Sequence, residues 1–188
     1  MKFTETALPG AYILEIELLR DERGFFARTW CREEFQAIGL STVVQQNSIS
    51  FNQKRGTLRG MHYQAPPKEE VKLVRCTRGA IYDVILDLRT DSSTFCRWCA
   101  LELTADNGKM VYVPAGFAHG FQTLADESEV SYQISEAFRP ELARGVRWND
   151  PAFQIEWPIP DPILSVRDRG FPDFLRECRG DPHQRREP

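Results

Sequence analysis

Histidine is the residue type in this chain whose chemistry is easiest to place, because its imidazole can take up and release a proton near neutral pH. His62 lies in the segment LRGMHYQ and His119 in the segment PAGFAHGF, and both segments combine glycine with aromatic residues. A third histidine, His183, lies in a charged C-terminal stretch, where we expect a solvated surface side chain. His62 and His119 are therefore the candidates for proton transfer or metal binding.

The segments around these two histidines resemble the two motifs of cupin barrels, many of which hold a metal there. Metal-binding cupins usually supply His-x-His and a carboxylate, whereas this chain has Gln64 at the second histidine position, with Glu69 and Glu70 further on. Two histidines and an amide fall short of the ligand set that transition metals favour. We therefore expect no metal; a metal-dependent cupin and two histidines that merely pack in strands stay open as alternatives.

The elements that must position these residues are short strands. Alternating, β-branched or aromatic runs are separated by turn residues at intervals of roughly 8 to 12 residues, which predicts an all-β sandwich or barrel. One helix is predicted over Arg32 to Ile38, ended by Gly39, as a cap on the barrel surface. The nine predicted strands are Tyr12 to Leu19, Thr42 to Ser50, Thr57 to Tyr63, Val71 to Thr77, Ala80 to Leu88, Arg97 to Leu103, Met110 to Val113, Gly120 to Leu124 and Glu129 to Ser135.

Length and composition indicate one globular domain. The 188 residues are 41% hydrophobic, and we expect a single domain over 1–175 followed by a charged, loosely held tail over 176–188. With 24 Lys and Arg against 27 Asp and Glu, the net charge is −3, which argues against nucleic acid or an anionic membrane as a partner. The N-terminus lacks the apolar core of a signal peptide and no stretch is apolar enough to span a membrane, so we expect a cytoplasmic protein.

The cysteines indicate reduced thiols. Their number, five, is odd, and they are scattered over a chain with no secretory signal. The one close pair, Cys96 and Cys99, has the CxxC spacing of redox sites and of half a zinc site. A strand would place positions i and i+3 on opposite sides, and no second pair exists, so neither role is expected.

Several ordered segments together resemble the dTDP-4-dehydrorhamnose 3,5-epimerase family over nearly the whole chain. The resemblance implies a cupin-like β-sandwich or jelly roll with short peripheral helices, and a homodimer with exchanged N-terminal strands. It also implies an isomerase that epimerises a nucleotide-linked 4-keto-6-deoxy sugar without metal or redox cofactor. The matching segments are Asp21 to Phe26, Leu58 to Gln64, Lys72 to Arg75 with Gly79 and Asp83, Pro114 to Phe121, Trp148 to Pro151 and Leu164 to Asp168.

Epimerisation next to a ketone needs a base, a group that holds the enolate oxygen and an acid on the opposite face. His62 is the natural base, and the resemblance makes Asp168 the carboxylate that orients it. Lys72 matches a lysine that stabilises the enolate, and Tyr132 matches the family's acid. From the residues alone, Asp168 reads as a surface charge and Tyr132 as a packing residue. Lys72 lies in an apolar, inward-alternating strand, where a lysine is costly unless it points into a polar cavity, and an outward position beside Glu70 is the alternative.

The resemblance also implies the substrate-binding residues. Arg59 matches an arginine near the diphosphate, to which a guanidinium is well suited, and Arg23 matches one that reaches the nucleotide across the dimer. Further substrate-binding candidates are His119, Phe138, Arg28 and Arg167.

Three positions depart from the family pattern. Leu19 stands where an aromatic residue is common, and Arg28 stands where glutamate is common, so a cytidine or other nucleotide is open beside thymidine. Phe138 stands where the family has a second tyrosine, which leaves double inversion and inversion at C3 or C5 alone as alternatives. A catalytically silent, ligand-binding cupin is a further alternative, although the retention of His62, Lys72, Tyr132 and Asp168 together disfavours it.

Overall fold

Thirteen strands and two short helices make up residues 1–174, the part of the chain that the computed structural model describes. The elements are β1 (Lys2–Glu5), β2 (Tyr12–Glu15), β3 (Leu19–Asp21), β4 (Gly24–Phe26), α1 (Arg32–Ala37), β5 (Gln46–Asn52), β6 (Leu58–Gln64), β7 (Lys72–Arg78), β8 (Ala80–Asp87), β9 (Trp98–Thr104), β10 (Lys109–Val113), β11 (Phe117–Thr123), β12 (Ser128–Ile134), β13 (Ala143–Gly145) and α2 (Val166–Arg169). The strands form a six-stranded antiparallel sheet in the order β1-β2-β10-β7-β12-β5, a five-stranded antiparallel sheet in the order β13-β6-β11-β8-β9, and the hairpin β3–β4.

The two large sheets pack face to face because each strand alternates apolar residues toward its partner sheet. Val74, Val111 and Val130 of the six-stranded sheet meet Ile85 and Phe121 of the five-stranded sheet in one buried core. Apolar clusters also cover the outer faces. Helix α1 inserts Phe35 on the six-stranded sheet, and the chain from 146 to 157 covers the five-stranded sheet. The fold is therefore a β-sandwich with short peripheral helices, which confirms the predicted fold class.

Strand ends differ from the predicted ends where a pairing strand stops. The strand predicted over Tyr12 to Leu19 ends at Glu15, which pairs with Lys109, the first residue of β10. The strand predicted from Thr42 begins at Gln46, opposite Ile134, where β12 ends. In both cases the strand-like sequence pattern continues past the end of the neighbouring strand. Because no backbone groups remain there to pair with, the chain leaves the sheet.

Three expectations concern the C-terminal tail, the cysteines and membrane spans. The charged tail predicted over 176–188, which contains Cys178 and His183, lies outside the described residues. Within the described part, Cys31, Cys76, Cys96 and Cys99 are free thiols. No helix in residues 1–174 is long and apolar enough to cross a membrane.

Candidate active site

The candidate site is a cavity of about 310 Å³ between the inner faces of the two sheets, called the central cavity below. Both sheets contribute polar residues to it, because inner positions near the strand ends lie beyond the apolar core. Its lining residues are Arg59, His62, His119 and Phe121 from the five-stranded sheet, Ser48, Ser50, Lys72, Tyr132 and Ile134 from the six-stranded sheet, and Glu70 and Phe138 from loops.

His62 is paired with Asp168, although 106 positions separate them in the chain. The imidazole Nε2 lies 2.7 Å from the carboxylate Oδ1. Helix α2 presents the carboxylate, and Ser165 caps this helix by accepting a hydrogen bond from the Asp168 amide. An ionised carboxylate can only accept, so the proton sits on Nε2 and the Nδ1 lone pair is left for a substrate.

The surroundings of Asp168 keep it ionised. Burial raises the pKa of the carboxyl, but the hydrogen bond and charge of His62, with the Gly60 amide and Ser165, outweigh that cost and lower the pKa below its ordinary value. The carboxylate itself is buried, whereas the His62 side chain is 36% exposed. The pair therefore combines a buried, ionised carboxylate with an imidazole that solvent and substrate can reach.

A second histidine–carboxylate pair lies deeper in the central cavity. His119 Nε2 is 2.8 Å from Asp83 Oδ2, and both side chains are buried. His119 stands directly opposite His62 in the β6–β11 ladder, where the strands approach very closely. A Cβ on Gly60 would lie 2.6 Å from the Gly120 Cα, so only glycine fits where β6 and β11 come this close.

Lys72 points into the central cavity rather than outward. Its ammonium donates to the His62 carbonyl oxygen over 3.3 Å and lies 2.8 Å from Glu70 Oε1. The lysine is buried, which is costly for a cation unless it is paired. The outward-facing alternative for Lys72 is therefore wrong.

Tyr132 projects from the six-stranded sheet into the same cavity. Its ring meets that of His119 edge to face, with centroids 6.1 Å apart. Burial and then the nearby charge of Asp83 raise the pKa of the phenol well above its ordinary value, while Arg59 acts in the opposite sense. The phenol thus keeps its proton until a strong base is generated beside it.

The predicted binding residues fall into three groups. Arg59, His119 and Phe138 line the central cavity, and Arg59 Nε donates to Asn52 Oδ1 over 2.7 Å. Arg167 lines an adjoining cavity of about 100 Å³ that shares His62, Glu70 and Phe138 with the central one.

Arg23 and Arg28 do not line the central cavity of their own chain. Arg23 lies at the turn of the β3–β4 hairpin, with its side chain 85% exposed and paired with Asp21. Arg28 lies 3.3 Å from Glu34 and lines a separate hollow together with Leu19 and Phe26. Two of the three departures from the family pattern therefore share one surface region away from His62.

Sequence reasoning assigned no role to Asp83 or to Glu70. Asp83 interrupts an apolar strand between Ile81 and Ile85, on the same face as both. A carboxylate at a core position needs a buried partner, and this signal alone could have pointed to His119. The sequence places Lys72 two positions after Glu70, so the pairing of the two could have been predicted. The cavity into which both side chains project could not.

The described residues contain no group of three or more His, Cys, Asp or Glu placed to hold a metal ion. Gln64, at the position of the second cupin histidine, is committed elsewhere. Its amide donates to the Lys68 and Ala137 carbonyls and accepts from the Arg139 amide, so it anchors a loop. The donor set around His62 and His119 therefore does not fit a metal-binding cupin, and absence of metal stays a prediction for elemental analysis.

The two-sheet architecture with a polar cavity between the sheets is that of a cupin-like β-sandwich. A family model described as dTDP-4-dehydrorhamnose 3,5-epimerase matches residues 5–176. The chain belongs to this family, and the epimerase activity inferred from the sequence is confirmed at that level.

Individual relatives agree with this assignment. A dTDP-4-dehydrorhamnose 3,5-epimerase of Methanothermobacter thermautotrophicus is 42% identical over 173 residues, which are 90% of this chain and 92% of that protein. The crystal structure of the Bacillus anthracis 3,5-epimerase with TDP and PPi bound has a TM-score of 0.90 and 42% identity, and the match covers 92% of this chain and 99% of that one. A 3′-monoepimerase from Streptomyces bikiniensis in complex with dTDP-quinovose has a TM-score of 0.83 and 34% identity, covering 89% and 85%.

Proposed function

We propose that this enzyme inverts both C3 and C5 of a dTDP-linked 4-keto-6-deoxyhexose, with His62 as base and Tyr132 as acid. One observation carries the assignment of roles. His62 belongs to the five-stranded sheet and Tyr132 to the six-stranded sheet, so the two groups approach the central cavity from opposite sides. Inversion at carbon requires that a proton leave one face and return to the other, and the two sheets supply those faces.

The first step is removal of the proton on the carbon next to the C4 ketone. His62 Nδ1 takes this proton, while Nε2 keeps its own and donates to Asp168. The imidazolium that forms is stabilised by the adjacent carboxylate, and the electron pair of the broken C–H bond moves to the ketone oxygen.

The enolate oxygen then needs a positive partner, which is the role proposed for Lys72. Its ammonium is fixed before the reaction by the His62 carbonyl and Glu70, so no reorganisation is needed as charge develops. Tyr132 next gives its hydroxyl proton to the same carbon from the other face, and the enolate returns to the ketone. His62 is left protonated and Tyr132 deprotonated, and proton transfer through solvent restores both before the second inversion.

The substrate assignment rests on the binding groups and on the relatives. Arg59 lines the central cavity with the planar donors suited to a diphosphate, and Phe138 offers an exposed ring for stacking at the cavity entrance. Relatives of high structural similarity bind TDP and dTDP-quinovose. These observations support thymidine as the nucleoside, despite Leu19 and Arg28.

The decisive experiment follows deuterium incorporation by proton NMR when the enzyme is incubated in D₂O with dTDP-4-keto-6-deoxyglucose. Exchange at C3 and C5 with formation of the doubly inverted product is the expected result. Elemental analysis of the same sample tests the metal-dependent alternative, and His62→Asn is the matched inactive control. If the protein exchanges neither position in this or any other nucleotide-linked 4-keto sugar, the proposal is wrong.

Inversion of one centre only is the second candidate, and Phe138 is the observation that favours it. This ring lines the cavity but carries no hydroxyl where the family has a tyrosine, and one close structural relative is a 3′-monoepimerase. Exchange at a single carbon would establish this alternative. Phe138→Tyr should then restore exchange at the other carbon if the hydroxyl is what is lacking.

We further propose a homodimer in which the N-terminal strands are exchanged and Arg23 reaches the partner's nucleotide. The exposed position of Arg23, the exposed Phe25 and Phe26 beside it, and the exposed Ile49 and Phe51 on edge strand β5 support this assembly. Light scattering should give the mass of a dimer.

Mixed dimers test the exchange itself. Arg23→Ala and His62→Asn chains should each be weakly active alone, and refolding them together should restore activity, because one site then has both residues. Without restoration, Arg23 does not act across the dimer. We place this dimer in the cytoplasm, a setting supported by the free thiols of the described cysteines.

A further inference from the structure

One charged group in the central cavity enters the mechanism above only as a contact of Lys72. Glu70 precedes β7, has a side chain only 13% exposed, and lines both the central cavity and the adjoining one. It is the sole carboxylate among the described residues that line the central cavity, since Asp168 and Asp83 lie behind the histidines they hold.

The position of Glu70 matters because of what surrounds Lys72. The other titratable or charged groups of this cavity are Arg59, His62, His119 and Tyr132, and none of them brings a negative charge. Without Glu70, an ammonium buried among such groups would lose its hydration and keep only the His62 carbonyl oxygen as a partner. A neutral amine could not stabilise an enolate by charge.

Glu70 Oε1 is 2.8 Å from Lys72 Nζ, and the two side chains are on the same face because they are two positions apart in an extended segment. The ammonium is therefore held between the Glu70 carboxylate and the His62 carbonyl oxygen. This arrangement fixes both the charge of Lys72 and its location beside the base.

We propose that Glu70 is a positioning residue, which acts through Lys72 by keeping the ammonium protonated and directed at the substrate oxygen. The inference rests on the proposed role of Lys72 in the epimerisation. It adds a residue whose charge sets the alkaline limit of the reaction, although that residue itself exchanges no proton with the substrate.

The test compares Glu70→Gln, Glu70→Asp and the neighbouring Glu69→Gln in the full-length enzyme. Glu69 is partly buried, does not line either cavity, and its replacement makes the same change in net charge. In Glu70→Gln the alkaline limb of the kcat profile should move down by about 1 to 3 pH units, the size of effect that one close opposite charge produces. Glu70→Asp should move it less, and Glu69→Gln should leave it in place.

A direct measurement keeps this inference separate from the proposed function. In protein labelled with ¹³C at lysine Cε, the Lys72 resonance, assigned by its loss in Lys72→Arg, should titrate at lower pH in Glu70→Gln than in the parent. An unchanged titration would overturn the role of Glu70 whatever the activity. If the titration shifts but the enzyme catalyses no exchange, the ion pair is supported and the epimerase mechanism is refuted.

Discussion

The two histidine–carboxylate pairs of the central cavity are alike in chemistry and opposite in setting. His62 is 36% exposed and takes its carboxylate from a helix far along the chain, whereas His119 is 5% exposed and takes Asp83 from the neighbouring strand of its own sheet. One imidazole can therefore exchange its proton with solvent between turnovers. The other is enclosed by β-sheet and is suited to holding a fixed polar contact.

Under the proposed mechanism only the His62 pair transfers a proton, although the two pairs share the same chemistry. What separates the pairs is access to water and to substrate, both of which follow from where the carboxylate lies. Breaking each pair in turn should separate the loss of proton transfer from the loss of packing.

The largest expected effect is on the rate after His62→Asn. Loss of the base should lower kcat by on the order of 10² to 10⁴-fold and abolish solvent exchange at the sugar, while dTDP binding measured by calorimetry stays near that of the parent. The matched variant His119→Asn should lower kcat less and retain measurable exchange. Retained exchange in His62→Asn would remove His62 from the role of base.

Tyr132→Phe should separate the two halves of the reaction. Exchange catalysed by His62 should continue, because the base and Lys72 are intact, whereas inverted product should fall by on the order of 10²-fold because no acid remains on the other face. Proton NMR of substrate and product in D₂O measures both. Normal product formation would show that another group donates the proton.

The free energy of unfolding should respond in the opposite order, with the larger loss when the His119–Asp83 pair is broken. Asp83→Asn disturbs a fully buried pair and should lower the free energy of unfolding by about 1 to 3 kcal/mol. Asp168→Asn disturbs a pair whose histidine is partly solvated, and it should cost less than Asp83→Asn does. Urea denaturation of both variants decides the matter, and a larger loss in Asp168→Asn would contradict the contrast drawn between the pairs.

The smallest effect concerns acid sensitivity. The pKa of Asp168 lies below its ordinary value of 3.8 in the folded protein, so its contribution to stability is complete above that value and is lost as the pH falls through the lower, folded value. Asp168→Asn should therefore show a slightly smaller loss of stability on acidification below about pH 4. Asp87→Asn is the comparison variant outside the cavity. Burial raises the pKa of Asp87, but hydrogen bonds from Arg89, Ser92 and Thr94 outweigh this and lower the pKa below its ordinary value.

The strands and their inner and outer faces could be predicted from alternation, because that pattern is local. The pairing of His62 with Asp168 could not, since it joins positions 106 apart and was inferred only from a resemblance to known proteins. Strands β1, β4 and β13, and all of β3 but its first residue, were missed because each strand has three or four residues and little pattern of its own. The depth of Asp83 and Glu70 depends on how the sheets stack, which no single segment encodes.

The two sheets hold the proposed base and the proposed acid separately, and this gives the interior of the sandwich a part in the proposed chemistry. Val74 follows Lys72 by two positions, Val130 precedes Tyr132 by two, and Phe121 follows His119 by two, so each cavity residue shares a strand face with a core residue. The volume of this hydrophobic layer helps to set the distance between the sheets, and so the gap between the proposed base and the proposed acid. Core substitutions that never touch the substrate should therefore change which ring sizes and substituents the enzyme accepts.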